Sequence, residues 1–159
     1  MTIKSKAVDF FKSNEDEKKS NVNYGNLLHD LMSRIITTDQ LPKALEAMRI
    51  EGIITEIDKL ELSTSILKML ENQQVFNWFD KKWKVKTEVP VIPKSGELSR
   101  MDRVMINKDQ AIVVDYKTGT PRSQDQKQVK TYVQLLREMG FKDVNGYLLY
   151  VENAEVVTV

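Results

Sequence analysis

The sequence predicts an α/β fold: a central mixed sheet flanked by helices and entered through an N-terminal helical region. Three observations point there. Apolar residues recur at helical spacing through much of 24–80. The period then changes to alternation over 83–92, and two further strand patterns follow across short turns. An amphipathic helix pattern next separates the most apolar strand from another at 146–151, the arrangement of a parallel crossover.

In order, residues 3–12 are expected to form a short helix with Ile3, Ala7, Phe10 and Phe11 on its apolar side. Residues 13–23 are polar and charged, a solvated linker or the end of that helix. Residues 1–22 are therefore set apart from a single domain at 23–159. From Asn23 onward, Tyr24, Leu27, Leu28, Leu31, Met32, Ile35 and Ile36 mark a helix. Gly25 and His29, four apart, share a line beside its apolar stripe. His29 is the only histidine, and on the helix alone it reads as a packed or solvated side chain. Residues 40–52 read as a second helix, with Pro42 near its start, Leu45 and Met48 inward and Gly52 as its stop. Residues 54–80 continue helical through Ile54, Ile57, Leu60, Ile66, Leu67, Leu70, Val75, Phe76 and Phe79. A break is expected near Leu62 or Ser63, because Ser63 suits an N-cap.

Over 83–92, Trp83, Val85, Thr87, Val89 and Val91 alternate with Lys84, Lys86, Glu88 and Pro90, a half-buried strand with Glu88 on its polar side. After a turn at 94–97, the strand 98–107 places Leu98, Arg100, Asp102, Val104 and Ile106 on one face. A charged pair on a largely apolar face is a buried ion pair or a site. The turn Asn107-Lys108-Asp109-Gln110 makes the next strand, which begins at Ala111, an antiparallel neighbour, so Asp102 can approach Asp115. Ala111 to Val114 is a buried strand run, stopped by Thr118, Gly119, Thr120 and Pro121. Ser123, with Gln126 three residues on, is expected to cap a helix that buries Val129, Tyr132, Val133, Leu136 and Met139 and ends at Gly140. Gly146 to Val151 is a further strand, and 155–159 an edge strand.

Composition bounds the class. The chain has 159 residues, 41% hydrophobic and 30% charged, which suits one soluble domain with a core. It has no cysteine, which excludes disulfides, thiolate zinc sites and cysteine-held iron–sulfur clusters. No apolar run approaches the about 18 residues of a membrane span, so no membrane partner is expected. The first residues carry no apolar signal-peptide region, and the cytoplasm is the expected location. The net charge is +1, from 24 basic and 23 acidic residues. Proteins that hold nucleic acid unaided are commonly basic. Either this chain binds DNA weakly and locally, or something attached to it delivers the DNA.

Residues two apart in a strand point to one face, so Asp115 and Lys117 project together from the strand's exit. This reads as half of a metal-dependent phosphodiester-cleaving site. Such chemistry needs a cation held by oxygen ligands, magnesium or manganese, and a second positive group for the developing charge. Asp102 and Asp115 supply carboxylates, the Tyr116 backbone carbonyl a further oxygen, and Lys117 the ammonium. His29 can add a nitrogen if its helix packs over the strand ends, and Glu88 is a candidate additional acid. Gln128 and Tyr132 begin the next helix, where they can reach the phosphate backbone.

Four segments in order resemble the RecB-like nuclease branch of the PD-(D/E)XK superfamily: Gly25 to His29, Arg100 to Arg103, Val114 to Gly119, and Gln128 to Tyr132. The tail, Met139 to Phe141 and Gly146 to Val151, is similar to the C-terminal end of UvrD/AddA-type helicase–nucleases. The resemblance implies a restriction-endonuclease-like core. It implies His29, Asp102, Asp115 and the Tyr116 carbonyl as metal ligands, and Lys117 as the catalytic lysine. Gln128 and Tyr132 would line the DNA path and brace the site, with Arg100 and Arg103 also expected to meet DNA. The implied function is that of a magnesium- or manganese-dependent DNA nuclease, an exonuclease on single strands or DNA ends. It would serve as the C-terminal module of a helicase in recombination and repair. The chain has no phosphate-loop motif, so any helicase is expected on a preceding part of a longer protein or on another chain, and the chain is expected to be a C-terminal fragment or a small stand-alone relative. The alternative is a silent nuclease-like domain that binds DNA or a helicase partner.

Overall fold

The computed structural model describes residues 23–159. The helix expected over 3–12 and the linker up to residue 22 lie outside the described residues. Helix α1 covers residues 23–33. A short 3-10 turn, Thr38–Gln40, leads into α2 (Leu41–Ile50), followed by α3 (Glu56–Leu70) and α4 (Gln73–Asn77). Strands β1 (Lys84–Val91), β2 (Ser99–Asn107) and β3 (Gln110–Lys117) come next, then α5 (Ser123–Glu138) and β4 (Asp143–Tyr150). A second 3-10 turn, Val151–Asn153, precedes β5 (Glu155–Thr158). The five strands form one sheet in sequence order. Only β3 and β4, joined through α5, run parallel; the other neighbours are antiparallel. This is the mixed, helix-flanked sheet expected of a restriction-endonuclease-like core.

The middle strand explains the layering. Both faces of β3 are covered, so it is apolar throughout rather than alternating. Ile112, Val114 and Tyr116 join the cluster built by α1 to α4, with Leu28, Met32, Met48, Ile66 and Trp78. Ala111 and Val113 join the opposite cluster, under Val129, Val133 and Leu136 of α5. Gly146 on β4 lets α5 sit close: a Cβ there would lie 2.6 Å from Val133 Cγ2 and 2.7 Å from Val129 Cγ1. Asp115 and Lys117 continue the α5 side of β3 by alternation, while α1 lies against the other side. A site at the exit of β3 is therefore reached from both layers.

Several expectations need correction. Helix α3 is unbroken at Ser63. Its start is set at Thr55, whose hydroxyl accepts the Asp58 N–H at 3.1 Å while the Asp58 carboxylate accepts the Thr55 N–H at 2.8 Å. Ser63 has Ile66 where that reciprocal partner would stand. The real break follows Leu70, and Asn72 caps α4. Leu62, Ile66 and Met69 form the buried stripe of α3, which leaves Ile57, Leu60 and Leu67 exposed; Phe76 of α4 is exposed too. Helix α5 begins after Arg122, whose N–H donates to the Asp125 carboxylate at 3.0 Å, so Ser123 and Gln126 are not its cap. Met139 lies past the last turn and is 72% exposed, and Leu98, just before β2, is exposed as well. Among the described residues no helix is long and apolar enough to cross a membrane.

Candidate active site

The site opens where the sheet comes apart. The β2–β3 ladder pairs Asn107 with Gln110 and ends at Arg103 opposite Val114. One step further the same register would set Asp102 against Asp115, but the strands separate there. Asp102 takes over the missing ladder bond: its Oδ2 accepts the Tyr116 backbone N–H at 2.8 Å. On the other edge of β2, the ladder to β1 skips the position where Glu88 faces Asp102. Glu88 has a φ of 52°, a left-handed conformation uncommon for a residue with a side chain. Asp102 thus sits between two interruptions, where its backbone has no register partner on either side and its carboxylate binds the Tyr116 N–H instead.

Helix α1 brings His29 to the same carboxylate. His29 Nε2 lies 3.1 Å from Asp102 Oδ2, and Nδ1 lies 2.8 Å from the Gly25 carbonyl. A carbonyl only accepts, so Nδ1 carries a proton. The hydrogen bond to Asp102 outweighs partial burial and raises the His29 pKa to about 9. Gly25 permits the approach of α1: a Cβ there would lie 3.3 Å from Thr118 Oγ1, just past β3.

Asp115 is 3% exposed. Burial, reinforced by Asp102 and opposed by Lys117, pushes its pKa up to about 6. Lys117 Nζ stands 2.7 Å from Asp115 Oδ2, yet that oxygen has no partner with hydrogen-bond geometry. Burial pulls the Lys117 pKa down, but the surrounding carboxylates, Asp115 first and then Asp125 and Asp102, together outweigh it and the net shift is upward. Lys117 Nζ donates to Gln128 Oε1 at 3.2 Å.

His29, Glu88, Arg100, Asp102, Asp115, Lys117 and Gln128 line one cavity of about 570 Å³. Glu88 is half-buried in its wall and pairs with Arg100 Nη1 at 2.9 Å. Tyr132 does not line this cavity. It is buried, and its hydroxyl donates to the Arg100 carbonyl at 2.7 Å, a bracing contact rather than an exposed one. Tyr116 buries its side chain under α1 and places its backbone between the two acidic strands' exits. Arg103, expected to meet DNA, does not reach the cavity at all. It is fully buried, its guanidinium bound to the carbonyls of Ile35, Ile36 and Trp78. Sequence reasoning missed Asn26, Asp30 and Ser33, which share the cavity wall with His29. Their spacing of three and four on the polar side of α1 was the available signal.

The expected ligands therefore meet, but not as an open set. Among the described residues no three metal-ligating side chains are already arranged around one point. His29 and Asp102 are bonded to each other, and Asp115 leans on Lys117. The donor set nevertheless fits a divalent cation: two carboxylates and an imidazole line one cavity, and Asp115 Oδ2, though paired with the Lys117 ammonium at 2.7 Å, makes no hydrogen bond of regular geometry.

Both resolved shifts on these ligands are upward, so the folded protein holds those protons more tightly than the unfolded chain does. For Asp115 the associated stability is present below 3.8 and is lost as pH rises through about 6. For His29 it is present below 6.5 and is lost as pH rises through about 9. Melting temperatures in chelator are thus expected to fall in two steps between pH 4 and pH 9, and Asp102→Asn is expected to remove the upper one. A flat profile above neutrality would contradict the His29–Asp102 pairing.

A family model described as PD-(D/E)XK nuclease superfamily matches residues 6–157 of the chain. A comparison with curated proteins finds no match.

Proposed function

The chain belongs to the PD-(D/E)XK nuclease superfamily, and from that membership we propose that it is a magnesium- or manganese-dependent deoxyribonuclease. The observation that carries this reading is the Asp115 carboxylate, buried and lacking a hydrogen bond on Oδ2, beside Lys117 at the edge of a cavity of about 570 Å³. Asp102, Asp115, His29 and the Tyr116 carbonyl would hold the cation. Bound there, it supplies polarisation of the phosphodiester and acidification of water.

The chain's own residues do the rest. Lys117 presents its ammonium to the charge that develops on the phosphate and steadies the attacking water. Its raised pKa keeps it protonated at neutral pH. Arg100, 66% exposed at the cavity mouth, leaves Glu88 for a phosphate of the DNA. Gln128 holds Lys117, and Tyr132 holds the start of β2 against α5. A silent scaffold has no use for two acids and a lysine packed together in this way. We read the mode as exonucleolytic, on single strands or DNA ends delivered by a helicase on the same or another chain, in recombination or repair. The near-neutral charge supports delivery by a motor.

The test is cleavage of end-labelled linear single-stranded DNA with manganese. Chelator is expected to abolish it, and a covalently closed circle is expected to resist it. Lys117→Ala is expected to lose about 10²-fold or more in rate while calorimetry still shows manganese binding. Unchanged cleavage in that variant would remove the lysine from the mechanism, and cutting of the circle would make the enzyme an endonuclease.

A further inference from the structure

Four hydrogen bonds run from the lysine of the candidate site back to β2. Lys117 Nζ meets Gln128 Oε1 at 3.2 Å, and Gln128 Nε2 meets Ser99 Oγ at 3.4 Å. Ser99 Oγ contacts the Tyr132 hydroxyl, which meets the Arg100 carbonyl at 2.7 Å.

The direction of this chain is fixed at its far end. A carbonyl oxygen only accepts, so Tyr132 donates to Arg100. A phenol has one proton, so Ser99 must donate its own proton to Tyr132. Burial raises the Tyr132 pKa further above its usual range, so the phenol keeps that proton. Ser99 then has only lone pairs left for Gln128, and the amide nitrogen of Gln128 donates to them. This turns the amide oxygen toward Lys117, whose ammonium has donors only. A flipped amide would set its NH₂ against the ammonium and leave Ser99 without a donor. Gln128 also stands between the main cavity and a second one of about 400 Å³, lined in part by Ser99 and Tyr132. Without the Ser99 contact the amide is free to swing into that second space.

We propose that Ser99 is a positioning residue which, through Gln128, sets the direction in which Lys117 presents its ammonium to the DNA phosphate. This deepens the nuclease reading above and rests on it. It assigns to Ser99 the acceptor that holds the Gln128 amide nitrogen, while Tyr132, which also lies close to Gln128, commits its one proton to the Arg100 carbonyl.

Two independent measurements test it, on the full chain. The first is an NMR spectrum of the ¹⁵N-labelled, metal-free protein, read at the Gln128 side-chain amide, which is assigned by its loss in Gln128→Ala. The wild type is expected to show a shifted, exchange-protected pair. Ser99→Ala is expected to move it to the position of a solvated amide, and Ser99→Thr, which keeps the hydroxyl, to restore it. The second is manganese-supported cleavage. Ser99→Ala is expected to lower kcat about tenfold with KM nearly unchanged, and Ser99→Thr to recover it. In a Gln128→Ala background the Ser99→Ala change is expected to cost nothing further. An unmoved amide pair in Ser99→Ala overturns the proposal, as does a rate loss that persists in the Gln128→Ala background. Should the wild type cut no DNA, the nuclease reading fails, and the amide pair still decides whether Ser99 orders Gln128.

Discussion

Replacing Asp115 with asparagine is expected to lower cleavage by about 10³-fold or more and, at the same time, to make the metal-free protein more stable above neutral pH. The two effects share one cause. The carboxylate is 3% exposed, and burial together with the neighbouring Asp102 lifts its pKa from 3.8 to about 6. A group whose folded pKa is raised is bound more weakly in its charged form than water would bind it. Above about pH 6 the ionised group therefore costs stability, which a neutral amide of the same shape does not. The gain is on the order of 1–3 kcal/mol, and the attraction to Lys117 is already contained in the raised pKa from which it follows. Below the unfolded pKa both versions are neutral at this position and the gain disappears. Thermal unfolding in chelator near pH 8 and near pH 3, set beside manganese-supported cleavage, checks both halves. A lower melting temperature for Asp115→Asn near pH 8 would mean that the pairing of Asp115 with Lys117 more than offsets the burial of its charge, and the reading of Asp115 as an acid held at a cost for a metal would go with it.

The parts of this arrangement that lay in the sequence are those carried by local period and by turn length. The short turn at 107–110 fixes an antiparallel register whose last pair is Arg103 with Val114, and that register brings Asp102 and Asp115 to the neighbouring position where the strands part. The run into Asp115 and Lys117, and the helix that follows, give a parallel β3–β4 pair around α5. What was hidden depends on contacts between distant segments. His29 finds Asp102 across 73 positions, by a path set by the packing of α1. Ser99 carried no signal, since its two partners lie on another element. The exposure of Ile57, Leu60 and Leu67 was misread because α3 is apolar on more than one side, which leaves its helical phase undetermined. Arg103 differs from these. Alternation that puts Arg100 and Asp102 on one face of β2 puts Arg103 on the other, beside Met105 and under the N-terminal helices. The motif around Asp102 drew Arg103 toward DNA, where the period of the strand pointed inward.

The second large effect is therefore expected on stability, at Arg103. Its Nη1 donates to the Ile35 carbonyl at 2.7 Å, and its Nη2 donates to those of Ile36 at 2.7 Å and Trp78 at 3.1 Å. The guanidinium also lies 4.2 Å from the centre of the Phe79 ring. Ile35 and Ile36 follow the end of α1, and Trp78 is the C-cap of α4. The cation thus closes two helix ends whose carbonyls carry partial negative charge. Arg103→Met keeps much of the volume but leaves three carbonyls without a donor, a loss of about 3–5 kcal/mol that is a large share of the stability of a domain of this size. Lysine offers a point charge that cannot span three acceptors or stack as a plane, so Arg103→Lys is expected to recover only part. The loss should also reach the site. Arg103 and Asp102 are consecutive, and both fasten α1 to β2, one at its end and one at His29. Urea unfolding of Arg103→Met and Arg103→Lys measures the first expectation, and the His29 imidazole resonances of the folded lysine variant measure the second. Arg100→Ala supplies the contrast: that side chain is 66% exposed, so its loss should weaken DNA binding while stability stays within about 0.5 kcal/mol. If Arg103→Lys instead keeps full stability and loses DNA binding, the guanidinium leaves its carbonyls to meet DNA, and α1 is not fixed to β2 in the way its hydrogen bonds imply.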